Sequence, residues 1–366
     1  MIRASLLALV RDRSRTAATV LAVTLVVAMI AIPGAIRESA ISKPQNYLAR
    51  AGVDAFVMGP GVGDYISQSV LSPDQIASVP ARPGIDVITA GVVGFATLHH
   101  GDESASVVIQ GYEPESGFGG PWSMASGAPV SGDDEVVIDE TLGDQLGVSV
   151  GAQVEIGRGR FTVAGLSAET ASIGKQLVFL TTPAVQSAVY DQPLLVTHLL
   201  VGSDDPSGFV RAARSAGFSA FTRSDLLDRN EAYWTRQIGP TFDMMLLVVV
   251  LFGSLLVLTL FLLSNRARRR HLAVQAALGV PLRTLVAAEV VSAVAVTSVG
   301  VLVGLALAAL GVGAVNGGSP GLEASLSAPL LVRSMVTVAA VVLLALVPSL
   351  TALRRIDPAD ALAEPT

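Results

Sequence analysis

Four apolar runs punctuate the chain, and the pattern between them changes from one gap to the next. The central pair, Phe242–Ser264 and Leu285–Leu310, each exceed the roughly 20 residues that cross a bilayer as a helix. Between them, SNRARRRHLAVQAALGVPLRT carries Arg266, Arg268, Arg269, Arg270, His271 and Arg283 without one carboxylate, so this turn is expected to face the cytoplasm. Leu272–Leu278 contains no helix breaker, while Gly279 and Pro281 supply stop signals. The pattern predicts a short helix held between two spans, a place to receive force.

The chain opens with MIRASLLALVRDRSRT, where Arg3, Arg11, Arg13 and Arg15 share a segment with Leu6, Leu7, Leu9 and Val10; residues 1–16 read as an amphipathic helix on the inner membrane surface. A first span over 17–36 follows, and the length of its apolar core favours a retained anchor over a cleaved signal peptide. The remaining spans are placed at 242–264, 285–312 and 330–351, with a coupling loop at 265–284, an outer loop at 313–329 and a cytoplasmic tail at 352–366. Arg333 lies near the outer end of the last span, where its side chain can snorkel to the headgroups. Arg354 and Arg355 follow that span, so every arginine cluster falls on one side if both termini are cytoplasmic.

Between the first two spans hydrophobicity drops, and short β-rich runs are cut by Gly, Pro and Asp. Strands are predicted at Val53–Met58, Asp86–Leu98, Ala105–Gly111, Glu135–Asp139, Gln153–Ile156, Phe161–Leu166, Leu177–Thr181 and Leu194–Gly202. Helices are predicted at Glu140–Leu146, Pro183–Tyr190, Pro206–Ala216 and Asp225–Ile238, the last placing Tyr233 and Trp234 at the outer headgroup belt. Residues 37–238 therefore read as a large α+β extracytoplasmic domain, long enough for its own core or for two lobes. The expected fold class is an integral membrane α-helical protein of four transmembrane helices, with that domain between helices one and two.

Composition agrees: 51% hydrophobic residues, 15% charged residues and a mean hydropathy of +0.60 exclude an ordinary soluble enzyme. The net charge of -6 hides an uneven distribution, with carboxylates clustered between Glu38 and Glu231 and arginines clustered beside the apolar runs. No cysteine is present, which removes disulfides and thiolate chemistry from the exported part.

Candidate chemistry is sparse. Gly174-Lys175 resembles the end of a phosphate-binding loop, but Glu169 stands where the upstream Gly is needed and Gln176 where a hydroxyl is needed. His99-His100 before Gly101-Asp102 reads as a hairpin tip rather than a metal site. No nucleophile elbow or metal spacing is found, so catalytic, cofactor and metal residues are expected to be none, and no nucleic acid partner is expected. Glu289 sits a few residues inside the third span; pairing with Arg283 or an N-terminal arginine is favoured over a proton relay, which needs a second acid. Gly300 and Gly304 form a small-residue packing face.

These residues together carry a resemblance. The basic segment followed by Ala277-Leu278-Gly279 resembles the "R-x-x-E-I-x-x-L-R-A-L-G" stretch of the MacB/FtsX permease superfamily of ABC transporters, although His271 replaces its Glu and Gln275-Ala276 its Leu-Arg. Glu289, Gly300 and Gly304 match the start and the glycine-rich continuation of its third span. Pro348, Arg354, Arg355, Asp357, Pro358, Ala361 and Leu362 resemble its closing pattern. Val136-Val137-Ile138 through Leu146-Gly147, Val150-Gly151 and Val154 resemble its outer-domain stretch, with Ala152 in place of an Asp.

The resemblance implies a permease in the bacterial cytoplasmic membrane, a homodimer or a heterodimer with a second permease, bound to a separate ABC ATPase subunit that holds the ATP. It implies that Arg269, Arg270, Leu272, Ala277, Leu278 and Gly279 form the ATPase-coupling element, and that Glu289, Gly300 and Gly304 pack the spans. The expected activity is export or lipid and lipoprotein handling by motion of the outer domain, with the lipid bilayer and an envelope or periplasmic partner around it. The alternatives are an FtsX-like regulator of an envelope hydrolase and an ATPase-independent membrane sensor or scaffold.

Overall fold

The computed structural model describes residues 13–65, 69–80, 84–172, 175–192, 195–277, 280–318 and 324–354. They form two units, one of mixed α/β structure built on Glu38–Gly239 and one helical. The first helix, α1 (Arg13–Ser42), is followed by a tight turn at Lys43–Gln45 and the short helix α2 (Asn46–Arg50). Tyr47 and Leu48 of α2 are buried, so the α/β unit's core begins at the end of the first apolar run.

The strands follow as β1 (Ala55–Met58), β2 (Ile85–His100), β3 (Glu103–Tyr112), β4 (Met124–Gly127), β5 (Glu135–Asp139), β6 (Gln153–Ile156), β7 (Gly159–Ser167), β8 (Ala171–Ser172), β9 (Lys175–Thr181), β10 (His198–Ser203) and β11 (Ser219–Thr222). They lie in the order β11-β1-β10-β2-β3-β9-β5-β7-β4, with β6 against β2 and β7 and β8 against β9. β3 and β9 run parallel, as do β5 and β7; the other pairs are antiparallel. β2 is the spine. Its first half pairs with β10 and its second half with β3, so one long β-branched run joins the two ends of the sheet. The hairpin between β2 and β3 turns at Gly101, whose φ of 60° suits glycine, and His99 and His100 lie beside this tip.

Around the sheet lie the helices α3 (Pro73–Ala77), α4 (Glu140–Leu146), α5 (Thr182–Ala184) and α6 (Pro206–Ser215). Each start is capped by a side chain the sequence puts there: Ser72 in a capping box with Gln75, Asp139 on Thr141, Thr181 on Ala184, Asp205 on Gly208. α4 seals a core of Val92, Leu98, Ile109, Ile138, Leu142 and Ile156, and α6 seals another with Phe209, Val210 and Ala213. The third core is aromatic, gathering Tyr47, Phe56, Tyr65, Tyr112, Phe179 and Phe221.

Some expectations shift. β4 (MASG) and β11 (SAFT) are unforeseen because they are short edge strands almost without β-branched residues, fixed by pairing with β7 and β1. β10 starts at His198; the start expected at Leu194 lies outside the described residues, and Thr197 just before the strand bonds the β2 backbone through its hydroxyl, which accepts from Val93 N at 2.9 Å. The helix expected at Pro183–Tyr190 is the single turn α5 running into a π-turn at Val185–Val189, where the Ala188 carbonyl accepts from Arg158 N.

The chain then enters α7 (Arg223–Ala277), α8 (Leu282–Gly318) and α9 (Ala328–Arg354). Three helical runs among the described residues are long and apolar enough to cross a membrane: Thr16–Arg50, Arg223–Leu260 and Arg283–Gly318. The apolar part of α9 counted there, Ala328–Leu344, is shorter, so three of the four expected spans reach full length. Of the three apolar windows, that of α1 is 56% buried, against 17% for α7 and 28% for α8. α1 is therefore the centre of the helical unit, and its Val23, Val26, Val27 and Ile30 share a core with Val249, Val257, Ala293 and Val338.

Candidate functional site

The expected separate helix at Leu272–Leu278 is not separate. α7 is continuous from Arg223 to Ala277, so the basic segment and Leu272 form the last turns of the second apolar helix. The reason is local: Ser264–Ala277 holds neither Gly nor Pro, and Arg, Ala and Leu propagate a helix once a turn exists. The backbones of Arg269, Arg270, Leu272 and Ala277 lie in this helix, while Leu278 and Gly279 fall outside the described residues. The described residues resume at Val280, and the carbonyl of Pro281 accepts from Thr284 N at 2.8 Å as α8 starts. The backbone of Glu289 lies in α8. The closing pattern from Arg355 onward and the amphipathic helix expected before Arg13 also fall outside the described residues.

Gly300 and Gly304 face α1 at close range. A Cβ at Gly300 would come within 2.7 Å of Val23 Cβ and 3.1 Å of the Val20 carbonyl; at Gly304, within 2.6 Å of Val27 Cβ and 2.9 Å of the Thr24 carbonyl. Thr24 Oγ1 donates to the Gly300 carbonyl at 3.2 Å, a buried bond between the two helices. Gly311 meets Ile32 and Gly253 of α7 meets Val26 in the same manner, at 2.5 and 2.6 Å. Gly253, Gly311 and Thr24 were not expected to pack the helices; the signal present was glycine recurring within apolar runs, which small-residue packing makes meaningful only once partners are known. Near the ends of the apolar runs, Arg37 Nε lies 3.7 Å from Asp243 Oδ1.

In the α/β unit, Asp139 is fully buried yet fully served: Oδ1 accepts from Thr141 N at 3.0 Å, and Oδ2 from Thr170 N at 3.0 Å and Thr170 Oγ1 at 2.6 Å. Four donors in all, counting Thr141 Oγ1, make this carboxylate a fixed corner of the domain rather than a reactive acid. Lys175 lies in the hairpin of β8 and β9, and a strand follows it where a phosphate-binding loop leads into a helix. No cluster of three potential metal ligands occurs among the described residues.

His198, 1% exposed, opens β10. Its Nδ1 lies 2.9 Å from Thr197 Oγ1 and its Nε2 3.3 Å from the Tyr65 hydroxyl, which donates to Gln110 Oε1 at 2.7 Å. Gly91 leaves room for this ring, since a Cβ there would come within 2.3 Å of Nε2. Burial pushes the imidazole pKa down to about 3 from 6.5. The unfolded chain then binds a proton that the folded domain excludes, so this stabilisation is complete above pH 6.5 and is lost as pH falls toward 3. Between pH about 7.5 and about 5 the loss is expected to be on the order of 2 kcal/mol. It is read from urea unfolding followed by Trp122 fluorescence in a Trp234→Phe background, and the difference shrinks by that amount when His198→Gln is added; an unchanged pH dependence in that variant contradicts the assignment.

An α/β domain inserted after the first of several apolar helices, the second of which ends in an arginine run, defines a multi-pass membrane protein with one large extramembrane domain. Two proteins of Mycobacterium tuberculosis, each named an uncharacterized ABC transporter permease, are similar to it. One is 28% identical over 259 residues, covering 69% of this chain and 69% of its own; the other is 29% identical over 264 residues, covering 70% of each. Among solved structures, the extracellular domain of the noncanonic ABC-type transporter YknZ from Gram-positive bacteria is similar over 46% of this chain and 100% of its own, with 11% identity and a TM-score of 0.36. The periplasmic region of MacB from Actinobacillus actinomycetemcomitans is similar over 49% of this chain and 92% of its own, with 15% identity and a TM-score of 0.38. The chain belongs to the MacB-like periplasmic core domain family, matched over residues 16–215, and so to the ABC transporter permeases of the MacB/FtsX type.

Proposed function

We propose that this chain is the permease subunit of an ABC transporter whose ATP is bound and hydrolysed by a separate subunit, and that it passes the resulting motion to its α/β domain. The observation that carries this reading is α7: one helix of 55 residues, on the order of 80 Å of axis, joins the last strand of the domain to the arginine segment. A displacement applied at Arg269–Ala277 has a continuous helical path to Arg223, with one ladder bond missing at Pro240, which has no N–H to donate. One face of α7, with Met244, Leu247, Leu251, Phe252 and Leu255, is apolar and exposed, as contact with lipid requires, while Val249 and Val257 on the other face are buried. Export or lipid and lipoprotein handling by the moving domain is the favoured activity.

In this reading α9 is a fourth span, both termini are cytoplasmic, the domain of residues 37–238 lies outside the cytoplasmic membrane, and two permeases meet one ATPase dimer. The arginine bias tests the topology. Reporter fusions after Asp133 and Gly318 are expected to report outside, and fusions after Arg270 and at Thr366 inside; a cytoplasmic signal at Asp133 contradicts the assignment.

A further inference from the structure

The α/β unit holds the roots of two membrane helices side by side. Tyr47 and Leu48 of α2, just beyond α1, and Leu226, in the first turn of α7, are buried in one aromatic core. One turn further along α7, Asn230 is wholly buried, and its Nδ2 donates to Gln45 Oε1 at 3.1 Å across a sequence separation of 185 residues. The two remaining amide atoms, Gln45 Nε2 and Asn230 Oδ1, are buried without a hydrogen-bond partner. One is a donor and the other an acceptor, so each is what the other lacks. Turning both amides over gives the reciprocal bond, Gln45 Nε2 to Asn230 Oδ1, and again places one donor and one acceptor, Asn230 Nδ2 and Gln45 Oε1, outside it.

Two primary amides can join by two parallel N–H···O bonds, and here one is made. A buried amide atom left unsatisfied is destabilising, and it draws the two side chains together. The geometry points to a half-closed amide clasp, in which Gln45 and Asn230 tie the root of the first membrane helix to the root of the second so that the two open and move as one. The clasp is a positioning device in the fold and does not depend on which ATPase or cargo the protein uses. Its failure would leave the permease reading standing.

The test is hydrogen exchange of the full chain in detergent micelles. In Asn230→Leu, amides in both segments, 43–50 and 224–232, are expected to exchange about tenfold faster, as the loss of one buried hydrogen bond and the exposure of its partner imply, while β5 and α4 are unchanged. Should Asn230→Leu loosen the whole domain, the milder Gln45→Asn, whose side chain is one methylene too short to reach, is expected to give the same paired increase. Exchanging the residues, Gln45→Asn with Asn230→Gln, restores the combined length and is expected to bring both segments back to within about twofold of the parent. Acceleration confined to 224–232, or a swapped pair as loose as the single variants, overturns the proposal.

Discussion

Gly304→Ile is expected to separate α8 from α1 and to lower the thermal midpoint of the purified protein by several degrees. A side chain at this position starts 2.6 Å from Val27 Cβ and 2.9 Å from the Thr24 carbonyl, and the second of these is backbone that cannot rotate aside. Relief requires the helices to part, which also stretches the bond from Thr24 Oγ1 to the Gly300 carbonyl. Overpacking of this kind costs about 3 kcal/mol, and in a helical membrane unit little hydrophobic driving force exists to offset lost packing. The control lies on the same helix: a Cβ at Gly313 meets nothing within 4 Å, so Gly313→Ile makes the same change in helix propensity without the collision. Equal midpoints for the two variants would show that α8 does not depend on this contact.

How much of this was legible in the sequence differs between the two units. Apolar run length and arginine placement are strong signals, so α1, α7 and α8 were readable as spans, and Asp139 marks the start of the helix expected at Glu140–Leu146; the capping box of Ser72 with Gln75 starts α3, a helix that was not expected. β2 and β3 were readable because period and β-branching agree over many residues. The end of α7 was misread because Gly279 and Pro281 mark where a helix stops, and nothing at Leu272 marks where one starts; the helix simply continues from the span. Gly300 and Gly304 were visible as a pattern, but what they pack against is set by tertiary contact with Val23 and Val27. Asn230 and Gln45 carried no signal at all. Two amides 185 residues apart become meaningful only when both are buried against each other.

The coupling element proposed above rests on the same continuity of α7. If the helix end that carries Leu272 and Ala277, together with the Leu278 and Gly279 that follow it in sequence, docks into the ATPase, its apolar residues enter a groove, and a carboxylate placed there stays unpaired in an apolar site. The penalty is on the order of several kcal/mol, above the roughly 1–3 kcal/mol of a typical coupling energy, so the contact should fail rather than weaken. The spans and the α/β domain would be untouched, and Leu278→Met, which keeps volume and polarity, should be nearly silent. The measurement that bears most directly on the account is therefore the turnover of the permease purified with its ATPase, compared for the parent chain, Leu278→Met and Leu278→Asp. The account predicts that Leu278→Asp inserts normally and keeps the protease resistance of its outer domain, yet loses the ATPase on copurification or loses stimulated turnover. A Leu278→Asp protein that retains its ATPase and full turnover would contradict it, and would move the coupling to the N-terminal segment or to the tail from Arg354 to Leu362.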